Sequence, residues 1–163
     1  MERYFFVCAF VLLLMVFATR TLFAQEQTYT VRSLTEEDQI RFVVLADLLK
    51  KESREELTRC VAVDDKKNPS KALLSKLKQL HPKVKSNARC YVDKNDGDSV
   101  VDGVTGKDAL MFTVSKLKRL DKDRVEVSAS NYEANMASFG CKYLVIRDND
   151  KWKVESASDC YIS

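Results

Sequence analysis

The sequence predicts an α+β domain in which N-terminal helices pack on a curved antiparallel sheet. Three observations carry that expectation. Apolar residues recur at helical spacing early on, at Ile40, Val43, Val44 and Leu48, and again at Leu73, Leu74, Leu77 and Leu80. From residue 110 the pattern changes to strand alternation, with Phe112 and Val114, then Val125, Val127 and Ala129, each set on one face. Cys60, Cys90, Cys141 and Cys160 form an even set spread across both halves.

The chain opens on a leader. Glu2 and Arg3 precede an apolar run over residues 5–18, interrupted by Arg20 and followed by Leu22-Phe23-Ala24. A bilayer-spanning helix needs about 20 apolar residues, and the run has 14. It therefore reads as a secretory signal peptide, residues 1–24, cut after Ala24, although Leu22 is large for its place before the cut. Residues 25–163 then form a single domain in a secreted or periplasmic setting. The formal charge of the whole chain is +3, and its 27 basic residues are interspersed with 24 acidic ones. Clusters such as Lys66-Lys67 and Lys116-Leu117-Lys118-Arg119 are short and lie near acids, so no nucleic-acid surface is expected.

The elements follow in order. Residues 25–33 read as an extended lead. Thr35 is a helix N-cap, with Glu36, Glu37 and Asp38 at the positive end of the helix. The helix runs to about Lys50. Residues 57–63 fit either a strand, through Cys60, Val61 and Val63, or a helical turn. Asn68-Pro69 reads as the start of a second helix, ended by His81-Pro82. Residues 88–92 suit a strand. Residues 93–106 read as a polar loop interrupted by Val100 and Val101. Strands follow at 110–117, 124–132, 138–147 and 151–156.

Asn149-Asp150 is a two-residue hairpin turn. It sets Arg147 opposite Trp152 and Val145 opposite Val154, and the same register carries Cys141 to Ser158, two residues from Cys160. The expected disulfides are therefore Cys141–Cys160 and, by elimination, Cys60–Cys90. Zinc is not expected, because the chain has one histidine and no CxxC.

The last three strands, 124–132, 140–147 and Lys151-Trp152-Lys153-Val154, resemble the C-terminal meander of the NTF2-like (cystatin-like) superfamily. The preceding order of helix, small strand, helix and long strands resembles it in outline. The resemblance implies a sheet curled into an open cone around a pocket. It implies no single activity, since such folds serve isomerases, dehydratases, transport adaptors and other proteins.

No nucleophile elbow, HExxH, phosphate loop or dinucleotide fingerprint is present, and no cofactor is expected. His81 stands before a proline at a helix end and suits a capping role as well as a base. The acidic loop 93–103 fails the EF-hand pattern: counted from Asp93, Gly97 falls at position five and Val104 at twelve. Its acids could still gather a weak calcium ion. Asp108, Glu126 and Glu133 are candidate pocket acids. Phe112, Phe139, Tyr143 and Trp152 read as core or sheet-face residues. The alternative is a ligand site built from Tyr132, Tyr143, Trp152 and Glu126. The expected role is binding of a small molecule or protein partner without catalysis. The alternatives are a metal-independent isomerase, dehydratase or hydrolase using a pocket carboxylate, and a structural or inhibitory protein.

Overall fold

The first helix starts where its cap chemistry says it should. In the computed structural model, which describes residues 33–64, 66–134 and 137–163, α1 spans Glu36–Lys51. The Thr35 hydroxyl accepts a hydrogen bond from the Asp38 amide at 3.2 Å. Acids fill the first turn and Lys50 and Lys51 the last, matching the helix dipole. Ile40, Val44, Leu45, Leu48 and Leu49 are fully or almost fully buried against the sheet. The leader and the extended lead up to residue 32 lie outside the described residues.

The second helix, α2 (Lys71–Leu80), begins slightly later than Asn68-Pro69 suggests. Ser70 is its cap: its hydroxyl accepts from the Leu73 amide and donates to Asp38 Oδ2 at 2.6 Å. One serine therefore caps α2 and ties it to the start of α1. Pro69 sits just outside the helix. Leu73 and Leu77 are buried, whereas Leu80 is 48 % exposed, and α2 ends at His81.

The described residues form nine strands, the first between the two helices: β1 (Thr58–Val63), β2 (Val84–Ser86), β3 (Cys90–Asp93), β4 (Ser99–Asp102), β5 (Ala109–Val114), β6 (Lys118–Arg119), β7 (Arg124–Ala134), β8 (Ala137–Asp148) and β9 (Lys151–Ile162). The curved main sheet runs β2-β1-β5-β7-β8-β9 without closing, with β6 paired to β7. It is mixed rather than antiparallel, because β1 runs parallel to both β2 and β5. The cause is connectivity. The α2 crossover returns the chain to the starting end of β1, and the β3–β4 hairpin does so again before β5. Local periodicity carries no record of such crossovers.

The two faces of the sheet are closed differently. On one, Val61, Phe112, Val114, Val125, Val127, Tyr143 and Val145 meet α1 and α2 in one apolar core. On the other lies the β3–β4 hairpin: β3 overlaps the strand expected at 88–92, whereas β4 forms where the sequence suggested a polar loop. Val100 and Val101 are its buried apolar strand residues, at 1 % and 7 % exposure. The turn between its strands includes Gly97 at φ +57°, a conformation a glycine adopts without cost.

Both expected disulfides are present. Cys60–Cys90 joins β1 to the root of the hairpin, and Cys141–Cys160 joins β8 to β9. The Asn149-Asp150 turn has both residues at positive φ, as its type requires. Arg147 pairs with Trp152 and Val145 with Val154. Beyond that, irregularities at Leu144/Val145 and Gly140/Lys142 shift the register, so Ser158 lies opposite Lys142 rather than Cys141.

Candidate functional site

The residues singled out from the sequence fall on two faces. Tyr143 faces α1 and is fully buried, and burial pushes its phenol above the ordinary range. The Lys51 ammonium lies 5.5 Å from its ring centroid. Trp152, 6 % exposed, faces the guanidinium groups of Arg119 and Arg147 at 5.9 and 6.0 Å. Tyr132 is on the opposite face, where its hydroxyl donates to the Asp98 carbonyl at 2.8 Å and helps hold the β3–β4 hairpin. Glu126, also on that face, accepts from Lys118 at 3.2 Å. The four residues therefore do not line one cavity.

The acidic loop is divided as well. Asp93 accepts from the Asn95 amide within the hairpin turn, whereas Asp102 is fully buried. Asp102 accepts from Lys85 at 2.6 Å, from the Thr58 hydroxyl at 3.0 Å and from the Val104 amide at 3.0 Å. Among the described residues, no group of three or more His, Cys, Asp or Glu side chains is placed to share a metal ion. Asp108 is exposed.

Openings instead flank the connector between α1 and β1, at the end of the sheet where β1 and β5 begin and β7 and β9 finish. On one side is a groove of about 190 Å³ lined by Arg54, Leu110, Asn131, Glu133, Phe139 and Ile162. Glu133 reaches it from the bulge in β7, where the pairing steps from Tyr132 to Ala134. Arg54 Nη1 donates to both Glu133 oxygens at 2.7 and 2.8 Å, while Nε and Nη2 donate to Glu52 at 2.9 and 3.0 Å. These bonds hold the guanidinium in its charged form and lower the Glu52 carboxyl below its usual range. Glu133 was legible as a candidate acid. Arg54, its partner 79 residues earlier, carried no local signal.

On the other side is a wider cleft of about 610 Å³, lined by Glu55, Glu56, Arg59, Leu80, His81 and Lys83, with Pro82 beside them. Arg59 is 2 % exposed. Its Nη2 donates to the Arg54 and Glu52 carbonyls at 3.1 and 3.4 Å, and its Nε is buried without a partner. His81 is half-buried. Burial first, then the Arg59 charge, lowers its pKa from the ordinary value, with Glu55 acting the other way.

No protein-family model matches the chain, and no curated protein or solved structure is significantly similar to it. Among the described residues, no helix is long and apolar enough to cross a membrane. The two disulfides are compatible with an extracellular or periplasmic location.

Proposed function

We propose that the chain is an exported, non-catalytic binding domain of NTF2-like architecture that meets a protein partner at this end of the sheet. One observation carries the reading: the side of the sheet that would enclose a pocket is filled. Tyr143, Phe112, Leu45 and Leu48 are at most 1 % exposed there. The fold offers outward the end of β9. Tyr161 is 53 % and Ile162 85 % exposed, and among the described residues β9 pairs with β8 and with no other strand, so its far edge is open there. Extended segments of other proteins bind such edges through main-chain hydrogen bonds.

The catalytic alternative has weaker support. A working acid or base needs a carboxyl free to exchange a proton with substrate. Glu133 gives both oxygens to Arg54, and Asp102 is bonded to Lys85 and Thr58. Photo-crosslinking in the cell that exports the protein tests the proposal. A crosslinker at residue 162 is expected to give a discrete protein adduct, and one at residue 128, on the outer face of β7, none. Absence of an adduct at 162, or equal labelling at both positions, would rule the proposal out.

A further inference from the structure

We infer that the cleft beside Arg59 is a binding site for a small organic monocarboxylate, separate from the surface proposed for a protein partner. The Arg59 guanidinium is short of hydrogen-bonded anionic partners. A guanidinium withdrawn from water is normally matched by a carboxylate or another anion. Arg59 is 2 % exposed, yet its hydrogen-bond partners among the described residues are two main-chain carbonyls, and its Nε has none. The side chain lines a cleft of about 610 Å³, within the usual range for small-molecule sites. The Glu52 carboxylate feels the Arg59 charge but makes no hydrogen bond to it; a carboxylate entering the cleft supplies a directly bonded anion, and guanidinium geometry suits that group.

The lining narrows the ligand class. Leu80 and Pro82 give an apolar wall that suits a short hydrocarbon tail. Glu55 and Glu56 line the same cleft and disfavour a multiply charged anion such as phosphate. Lys83 is tied to the Glu56 carbonyl at 2.8 Å. His81 completes the lining and faces Arg59 from β1 and Glu55 from the connector. A bound carboxylate offsets the Arg59 charge that disfavours the imidazolium. Binding therefore raises the His81 pKa, and affinity rises as pH falls through the His81 range.

His81 is the only histidine in the chain, so its ring protons report on this cleft alone. The experiment is an NMR titration of the exported form, oxidised and without a tag, with butyrate, acetate and phosphate at constant ionic strength. Butyrate is expected to give saturable His81 shifts and an upward move of its titration midpoint, with phosphate at least tenfold weaker. Arg59→Met should abolish the effect. Because that change also frees two carbonyls and could unfold the connector, Leu80→Trp serves as the second variant. It crowds the cleft while leaving Arg59 in place and should weaken butyrate at least tenfold. Non-saturating shifts equal to those given by chloride, stronger binding of phosphate, or full butyrate affinity in Leu80→Trp would each overturn the inference. None of these results bears on the crosslinking test at residue 162.

Discussion

The two faces of the sheet are covered by different chemistry. The helix face is closed by apolar side chains, with Ile40, Leu45, Phe112 and Tyr143 all at 0 % exposure. The hairpin face is closed by a covalent bond and a polar knot: Cys60–Cys90, Asp102 held by Lys85 and Thr58, and the Tyr132 hydroxyl on the Asp98 carbonyl. A short hairpin has too little apolar surface to dock itself; Val100 and Val101 are its buried apolar residues. Burial draws its strength from area, whereas the knot depends on each partner being present. The helix face should therefore lose stability in proportion to volume removed, and the hairpin face in steps, as single partners are removed.

The largest effect is expected on the helix face. Phe112→Ala removes a fully buried ring from the middle of the core and should cost about 3–5 kcal/mol. Urea unfolding measures this, and a loss under 1 kcal/mol would mean the core is not organised around β5. Next comes the covalent tie. The Cys60–Cys90 bridge spans a sequence separation of 30, and replacing both cysteines with serine should cost about 3–4 kcal/mol. Hydrogen exchange sharpens the comparison: amides of β3 and β4 should lose protection first, while those of α1 keep theirs until global unfolding.

A smaller effect, of a different kind, is expected at Asp102. Asp102→Asn leaves Lys85 and Thr58 without their carboxylate and should cost about 2–3 kcal/mol at neutral pH. The cost should vanish in acid. The Lys85 hydrogen bond holds the folded carboxyl well below its ordinary value of 3.8, with help from the Val104 amide and Thr58 and against the opposing effect of burial. A lowered folded pKa gives stability that is fully present above the unfolded value and is lost as pH falls below it. Wild-type stability should therefore drop below about pH 4, with Asp102→Asn flatter through that window. Glu52, lowered chiefly by Arg54, adds to the acid loss in both proteins. Parallel pH profiles for the two would show that Lys85 does not hold the carboxylate in solution.

The same contrast explains what the sequence made legible. Helical spacing exposed Ile40, Val44 and Leu48, and alternation exposed Phe112, Val114, Val125 and Val127, because apolar packing leaves a period in the chain. The Asn149-Asp150 turn fixed its first pairs for a local reason as well. The hairpin face left no period. Val100 and Val101 are two apolar residues between polar ones, and Asp102 looked like the other loop acids because its partners, Thr58 and Lys85, lie 44 and 17 residues away. Arg54 and Arg59 were missed for the same reason. Their roles come from contacts across the connector, which spacing cannot encode. The parallel pairing of β1 likewise depends on crossovers and not on any residue within β1.

The smallest expected effect separates backbone from side-chain control at the exposed end of the sheet. Gly140 lies opposite Tyr161, and a Cβ built on Gly140 would come within 2.7 Å of the outer atoms of that ring. The glycine thus lets an aromatic lie across the strand pair. Tyr161 is 53 % exposed, and the crowded atoms are the far end of a side chain free to swing outward. Gly140→Ala should therefore displace the ring while costing less than about 1 kcal/mol, partly offset because alanine restricts the unfolded chain. Tyrosine ring shifts read by NMR, together with an unchanged Cys141–Cys160 bond, would show that the bulged end of the hairpin is set by its backbone and disulfide. A loss of several kcal/mol would instead make the Tyr161 ring a structural cover. It would then be unavailable as part of a surface that meets a partner.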